Sequence, residues 1–276
     1  MQHTLSKSTF VRGIKCEKAL YLNKHGRELR DKTSAQQEAI FAQGTSVGEL
    51  AQELFPGGID LTPDSFFDFG PSIEATKKAV ANNEPVIYEA AFIFDGVLAA
   101  MDIIVKTDGG YAAYEVKSST EVKDTYLQDT ALQSYIIENN GITLTDVSVV
   151  YINNKYVKDG EINIQQLFTI ESVKDRITNL KDKIPNQITQ FKKVLKSPSV
   201  PDVKIGQHCD SPYSCDFSGH CWKHVPEYSV FNISGLRKPK AFELHDMGAL
   251  SFNEIPQDFN LSNNEWLQVN SELNQT

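Results

Sequence analysis

The sequence predicts an α/β fold in which a mixed central sheet is flanked by helices. Three β-rich runs occupy residues 86–94, 97–106 and 111–118 in the middle of the chain. Asp-Gly turns separate them, at Asp95-Gly96 and Asp108-Gly109, and such a turn between two strand-like runs is a strong hairpin signal. Helical spacing of apolar residues precedes and follows these runs, so strands and helices are expected to share one core.

The helices are predicted from apolar spacing and from their end signals. The predicted helical segments are residues 10–22 with Cys16 near the middle, 37–54, 72–82, 126–139, and 170–195 with an interruption at Pro185. Residues 147–153 predict a further buried strand, and the tail from Val230 predicts a small helical hairpin divided at Asp246-Met247-Gly248.

Composition limits the class of protein. The chain has 276 residues with 40% hydrophobic content, which supports a folded core. It has no apolar run long enough to span a membrane, and its first residues lack the apolar core of a signal peptide. We therefore expect a cytoplasmic protein without a membrane partner.

The charge is unevenly distributed around a net value of −9. Residues 1–32 and 174–204 each carry eight Lys or Arg against three acids, whereas residues 241–276 contain six acids and no Lys or Arg. The basic stretches are either two solvated helix faces, which charge alone favours, or a phosphate-binding surface.

The second hairpin predicts a cluster of charged side chains. A two-residue loop at Asp108-Gly109 places Asp102 opposite Glu115, and Lys117 shares the face of Glu115 because side chains alternate along a strand. Two facing carboxylates repel each other unless a cation lies between them. Mg²⁺ binds one or two carboxylates together with water and phosphate oxygens, so the hairpin predicts a divalent metal site.

The Glu115-Val116-Lys117 triplet is weak evidence without this context. About three acid-x-Lys triplets are expected by chance from 36 acids and 22 lysines. The chain contains a second one, Glu121-Val122-Lys123, which has no hairpin partner. The alternative interpretation of the first triplet is a surface ion pair between Glu115 and Lys117, which would contribute little stability.

These residues resemble the PD-(D/E)XK nuclease superfamily and, within it, the RecB-like branch. That pattern has an Asp on one strand, as at Asp102, and an acid-x-Lys on the next, as at Glu115 and Lys117. The resemblance implies a restriction-endonuclease-like core, with Mg²⁺ or Mn²⁺ held by Asp102, Glu115 and the Val116 carbonyl. It also implies catalytic roles for Lys117 and for Gln133, which lies on the following helix.

The family also has a metal ligand on an early helix. The Gly44-Thr45 pair followed by Glu49 resembles that segment, which implies Glu49 as the ligand, with Glu89 as the second candidate. An exposed carboxylate without a role is an equally good interpretation of either residue.

The four cysteines strengthen the resemblance. Several RecB-like nucleases carry a 4Fe–4S cluster whose ligands are one Cys before the core and three after it. That pattern implies a cluster held by Cys16, Cys209, Cys215 and Cys221, which would join the two ends of the domain. The five-residue gaps between the last three cysteines leave Zn²⁺ as an alternative, and buried thiols without metal as a third possibility.

The whole chain resembles the N-terminal part of a bacterial family of uncharacterised RecB-like proteins. The shared features are the Ser-Lys-Ser segment at residues 6–8, Gly-Glu-Leu-Ala at 48–51, Phe-Pro-Gly-Gly at 55–58 and the cysteine block ending in Trp222. This implies a nuclease domain over residues 1–225 and a small helical tail or linker over 226–276. It also implies a C-terminal exonuclease-like domain in a longer protein.

The expected function is metal-dependent hydrolysis of phosphodiester bonds in DNA, in single strands or at ends, during repair, recombination or defence. Two alternatives are a nucleic-acid-binding module with a degenerate active site and an interaction domain held together by its thiolate metal.

Overall fold

The computed structural model describes residues 4–65 and 67–274 and shows a central sheet flanked by helices. The strands are β1 (Leu5–Ser6), β2 (Ile59–Asp60), β3 (Val86–Phe94), β4 (Val97–Thr107), β5 (Gly110–Lys117), β6 (Leu144–Ile152) and β7 (Phe168–Ser172). The helices are α1 (Lys7–Lys15), α2 (Glu17–His25), α3 (Ala35–Gln52), α4 (Gly70–Ala81), α5 (Asp124–Asn139), α6 (Ile164–Leu167), α7 (Lys174–Lys181), α8 (Ile184–Lys196), α9 (Ser218–Cys221), α10 (Lys238–Asp246) and α11 (Asn263–Asn274).

The sheet is mixed, with strand order β2-β3-β4-β5-β6-β7. Strands β3, β4 and β5 form an antiparallel meander, β5 and β6 are parallel, and β7 returns antiparallel to β6. The short strand β1 pairs in parallel with the start of β4, where β5 does not reach. The expected mixed sheet with flanking helices is thus confirmed.

Both Asp-Gly turns lie where the sequence predicted them. Asp95 and Gly96 have φ values of 45° and 66°, the left-handed conformations that a tight hairpin of this type requires. In the next hairpin Thr107 pairs with Gly110 across Asp108 and Gly109, which fixes the register of β4 against β5.

Helices cover the sheet through apolar contacts. Helix α5 packs against β3, β4 and β6, and its buried residues include Leu132, Ile136 and Ile137. Helix α3 contacts β5, and Val47 and Ala51 on α3 belong to an apolar cluster with residues of β3, β4 and β6. The first three turns of α3 are exposed, so only its C-terminal part is anchored in the core.

Two helix predictions were wrong. The segment 10–22 is divided at Cys16, which has extended backbone (φ −164°, ψ 116°) between α1 and α2. The segment 170–195 begins as the edge strand β7, because residues 168–172 pair with β6. Pro185 lies in the first turn of α8, where its missing N–H costs no helical hydrogen bond.

The chain divides into two compact units. The first contains the described residues up to Leu20 and Thr33–Ser199, including the whole sheet. The second contains Tyr21–Lys32 and the described residues from Val200 onward. In the second unit, residues of α10 and α11 and the turns between them form a separate apolar core that includes Leu244, Phe252 and Val269. The expected boundary after Val225 falls inside this second unit.

Within residues 4–65 and 67–274, no helix has the length and apolarity needed to cross a lipid bilayer.

Gly110, which begins β5, is a position where a larger side chain should destabilise the fold. It has φ 149°, and an added Cβ would overlap the carbonyl oxygen of Thr143. We expect Gly110→Ala to lower the free energy of unfolding by about 2 kcal/mol or more, measured by denaturant unfolding. Gly44→Ala is the control, because open space surrounds that helical glycine and the change should leave stability equal or higher. Equal stability of Gly110→Ala and wild type would contradict this packing.

Candidate functional site

Three carboxylates form a row across β3, β4 and β5. The register of β3 against β4 brings Glu89 opposite Asp102, and that of β4 against β5 brings Asp102 opposite Glu115. The expected facing of Asp102 and Glu115 therefore agrees with the register of the hairpin.

The sheet pairing is interrupted at this row. Regular β3–β4 pairs lie on either side of Glu89 and Asp102, and β4–β5 pairing stops at Ile103 and Tyr114. Glu89 has φ 52°, a left-handed conformation that is strained for a non-glycine residue. Strain of this kind persists where the surroundings impose it and is common at functional sites.

The side chain of Asp102 bonds to β5 beyond the point where the backbone pairing of β4 and β5 ends. Its Oδ2 accepts a hydrogen bond from the backbone N–H of Val116 at 2.6 Å. This contact orients the Asp102 carboxylate towards β5. The Val116 carbonyl, the predicted backbone ligand, directly follows Glu115 on that strand.

Glu115 is the most enclosed carboxylate of the row, with 1% of its side chain exposed. Its Oε1 accepts hydrogen bonds from the ammonium groups of Lys7 and Lys117, both at 2.7 Å. Lys117 also donates to Asp129 Oδ2 at 2.8 Å. A buried carboxylate requires such compensation, because an unpaired charge away from water is costly.

Strand β1 delivers Lys7 to the row. Leu5 and Ser6 pair with Val97 and Leu98 at the start of β4. Ser6 then caps α1 through a capping box with Thr9, which makes Lys7 the first residue of the helix.

Gln133 is fully buried on α5 and completes the contacts of Glu115. Its Nε2 donates to Glu115 Oε2 at 2.6 Å and to the Ala100 carbonyl at 2.7 Å. Both partners are acceptors, so the orientation of the amide is determined. Its Oε1 is buried and has no hydrogen-bond partner among the described residues, so this acceptor is left unsatisfied.

The pKa values show an excess of negative charge. Burial and the neighbouring charge of Asp102 raise the pKa of Glu89 to about 8. Burial and the charge of Glu115 raise the pKa of Asp102 to about 6. Burial alone would raise the pKa of Glu115, but Lys117 and Lys7 outweigh it and lower this pKa to about 2.

Burial and the charge of Glu115 also act on the ammonium groups of Lys7 and Lys117. Burial opposes their charged forms, yet the charge of Glu115 outweighs it and raises the pKa of both Lys7 and Lys117. Both lysines are therefore cations at neutral pH, where Glu89 keeps its proton and Asp102 has largely lost its own.

The structure brings together four of the predicted site residues, Asp102, Glu115, Lys117 and Gln133. Glu49 is exposed on α3 and shows no contact with them, so its role as a ligand stays a prediction. Glu89, the second candidate, lies in the row. The second triplet, Glu121 to Lys123, lies in the loop before α5, outside any strand.

Lys7 and Asp129 are residues of the site that the sequence did not single out. Lys7 lies in the Ser-Lys-Ser segment that carried part of the family resemblance. Asp129 lies one helical turn before Gln133, so a carboxylate on the Gln133 face of α5 was the available signal.

The donor set of the row suits a hard divalent cation. Such ions bind carboxylate, carbonyl and amide oxygens, and the row offers these from Asp102, Glu115, Glu89, Val116 and Gln133. In the described ranges no three His, Cys, Asp or Glu side chains converge in a geometry that could hold a metal ion. Ammonium and amide groups occupy both oxygens of Glu115.

The four cysteines are present as thiols. Cys16 belongs to the first unit, and Cys209, Cys215 and Cys221 belong to the second. In the second unit Cys209 lies in an apolar cluster that Cys221 packs against, and the Cys215 N–H donates to the Cys209 carbonyl at 2.7 Å. No four-cysteine metal site is shown among the described residues, so the expected cluster stays a prediction.

Four of the eight basic residues at 174–204 make ion pairs or hydrogen bonds within the first unit. Arg176 pairs with Glu171, Lys181 with Glu138 and Lys192 with Asp95. Lys174 donates to the carbonyl oxygens of Leu144 and Thr145. These contacts favour structural roles for these four residues over a phosphate-binding surface.

Comparisons with known proteins add little. No family model matches the chain, and no curated protein matches its sequence. A solved structure described as "Crystal structure of SSO0001" is similar over 80% of this chain and 87% of that one, at 14% identity and a TM-score of 0.37. A similarity at this level supports no conclusion about either fold or function.

The raised pKa of Glu89 predicts a pH dependence of stability in chelator. The unfolded chain loses this proton near pH 4.5 and the folded chain near pH 8, so this group makes the protein less stable as pH rises between those values. We expect Glu89→Gln to unfold at the same temperature as wild type near pH 5. At pH 9 it should be more stable by on the order of 2 kcal/mol, with water screening part of the repulsion.

Glu49→Gln is the matched control, because it removes an exposed carboxylate of the same kind. Thermal unfolding followed by circular dichroism gives the comparison. A Glu89→Gln variant that parallels Glu49→Gln at every pH would contradict the described environment of Glu89.

Proposed function

We propose that the chain is a metal-dependent nuclease whose active site is the carboxylate row and its lysines. The observation that carries the proposal is the combination around Glu115. Glu115 is bonded to Lys117 and to Gln133, and the other two carboxylates of the row, Glu89 and Asp102, have raised pKa values. A buried site with excess negative charge fits a divalent cation with bound water.

Asp102, Glu115 and the Val116 carbonyl would hold one or two Mg²⁺ or Mn²⁺ ions, with Glu89 or Glu49 as a further ligand. When bound, such an ion polarises the scissile phosphate and lowers the pKa of a coordinated water. The Lys117 ammonium is held by two hydrogen bonds, one to Glu115 and one to Asp129.

Lys117 remains a cation, because Glu115 and Asp129 raise its pKa. This favours stabilisation of charge on the phosphate and orientation of the water over removal of its proton. Gln133, held by its contacts with Glu115 and the Ala100 carbonyl, would position the attacking water or the DNA backbone.

The finer classification belongs to the same proposal. The strand meander with Asp102 and Glu115-Val116-Lys117, followed by α5 with Gln133, is consistent with the restriction-endonuclease-like core of RecB-like nucleases. DNA, in single strands or at ends, is the proposed substrate. The relation to a longer protein with a C-terminal exonuclease-like domain rests on sequence resemblance alone.

We also propose that Cys16, Cys209, Cys215 and Cys221 bind a 4Fe–4S cluster, with Zn²⁺ as the alternative. Support comes from four thiols in a chain that forms no disulfide among them. Metal analysis of the purified protein decides between the two, because iron gives a brown protein with visible absorbance and zinc gives a colourless one. A protein that contains neither metal after anaerobic purification would contradict this part of the proposal.

A catalytically degenerate nucleic-acid-binding module is the competing function. The first three turns of α3 are exposed and include the apolar side chains of Ile40 and Phe41, so this part of the helix is accessible to a binding partner. Binding of single-stranded DNA without cleavage in Mn²⁺ would favour this alternative.

Lys117→Ala is expected to reduce cleavage of single-stranded DNA in Mn²⁺ by about a hundredfold or more, since it removes a preorganised charge at the reacting phosphate. Lys123→Ala is the matched control, because that exposed lysine belongs to the second acid-Val-Lys triplet and lies outside the site. Chelator should abolish cleavage by wild type and control alike.

The fold of Lys117→Ala is checked by circular dichroism, as Glu115 retains Lys7 and Gln133. Full cleavage by Lys117→Ala would exclude the assigned role, and cleavage that survives metal removal would exclude the metal-dependent mechanism.

A further inference from the structure

Lys7 occupies an acceptor position of Glu115 Oε1 that a metal ion bound to this oxygen would need. The two oxygens of a carboxylate together offer about four hydrogen-bond acceptor positions. On Glu115, Lys7 and Lys117 take both positions of Oε1, and Gln133 takes one on Oε2. One position on Oε2 stays open, but a cation can bind Oε1, or both oxygens together, only if one ammonium group leaves.

The contacts identify Lys7 as the group that leaves. Lys117 is held by a second carboxylate, Asp129, whereas the contacts described for the Lys7 ammonium are with Glu115 alone. The Lys7 side chain is also the more exposed of the two, at 27% against 18%. Its departure leaves the Lys117–Asp129 pair intact.

We infer that Lys7 is a built-in counter-cation of the metal-free site, which competes with the divalent cation for Glu115 and is displaced by it. This inference rests on the proposed function, since it concerns the same cation. The ammonium group neutralises Glu115 while no metal is bound, which keeps the row folded. Because Lys7 competes with the divalent cation for Glu115, it also weakens the affinity of the site for metal.

The inference predicts that removing the Lys7 charge tightens metal binding. A neighbouring charge shifts the proton affinity of a carboxylate by one to three pKa units, and one unit corresponds to tenfold. We therefore expect Lys7→Met and Lys7→Gln to bind Mn²⁺ about tenfold more tightly than wild type. The Gln variant retains a hydrogen-bond donor for Glu115 if the Met variant folds poorly.

The measurement is the electron paramagnetic resonance signal of free Mn²⁺ during titration of the full chain, which reports affinity without reference to cleavage. Lys7→Arg, which keeps the charge, and Lys123→Met, which removes an exposed one, should not bind more tightly than wild type. Circular dichroism in chelator confirms that each variant is folded.

The outcomes separate this inference from the proposed function. Glu115→Gln identifies the binding event, and if it binds Mn²⁺ as tightly as wild type, the proposed metal site itself is contradicted. If Glu115→Gln loses binding while Lys7→Met and Lys7→Gln bind no more tightly than wild type, the proposed site stands and the competition by Lys7 is overturned.

Discussion

The buried carboxylate of Glu115 is the constraint on which the arrangement depends. With 1% of the side chain exposed, its charge must be balanced by groups that the fold brings to it. They come from three separate elements: Lys7 at the start of α1, Lys117 two residues along β5, and Gln133 on α5. Removing any one of them leaves a buried anion with fewer partners, so the sheet, the N-terminal segment and α5 are energetically coupled at this point.

Charge at the row opposes stability. Glu89 and Asp102 keep protons well above their usual pKa range because they are buried beside other carboxylates. Glu89 is also strained, and the strand pairing is interrupted beside it. Features that weaken a fold and yet lie together are typical of sites arranged for a ligand. A divalent cation would relieve the repulsion and take over the role of the protons, which is why the row is the basis of the proposed function.

The sequence predicted the structure best where neighbouring residues determine it. The Asp-Gly turns set the register of two hairpins, and the register placed Asp102 opposite Glu115. Lys7 was not foreseen, because it lies 108 residues from Glu115 and reaches it only through the pairing of β1 with β4. The sequence offered Glu49 and Glu89 as candidate ligands, but the surroundings of each depend on the tertiary structure. Val47 and Ala51 turn α3 towards the core and leave Glu49 exposed, whereas Glu89 is positioned by the β3–β4 register. The apolar spacing of residues 10–22 does not change at Cys16, so it did not reveal that the extended backbone there divides the predicted helix.

Anomalous diffraction from a crystal of the protein grown with Mn²⁺ tests the central claim most directly. The account predicts a manganese peak within bonding distance of the Asp102 and Glu115 carboxylates, with the Lys7 ammonium moved away from Glu115 and Lys117 still paired with Asp129. A fully ordered row that retains the Lys7–Glu115 pair and shows no manganese peak, at a metal concentration that supports cleavage, would contradict it.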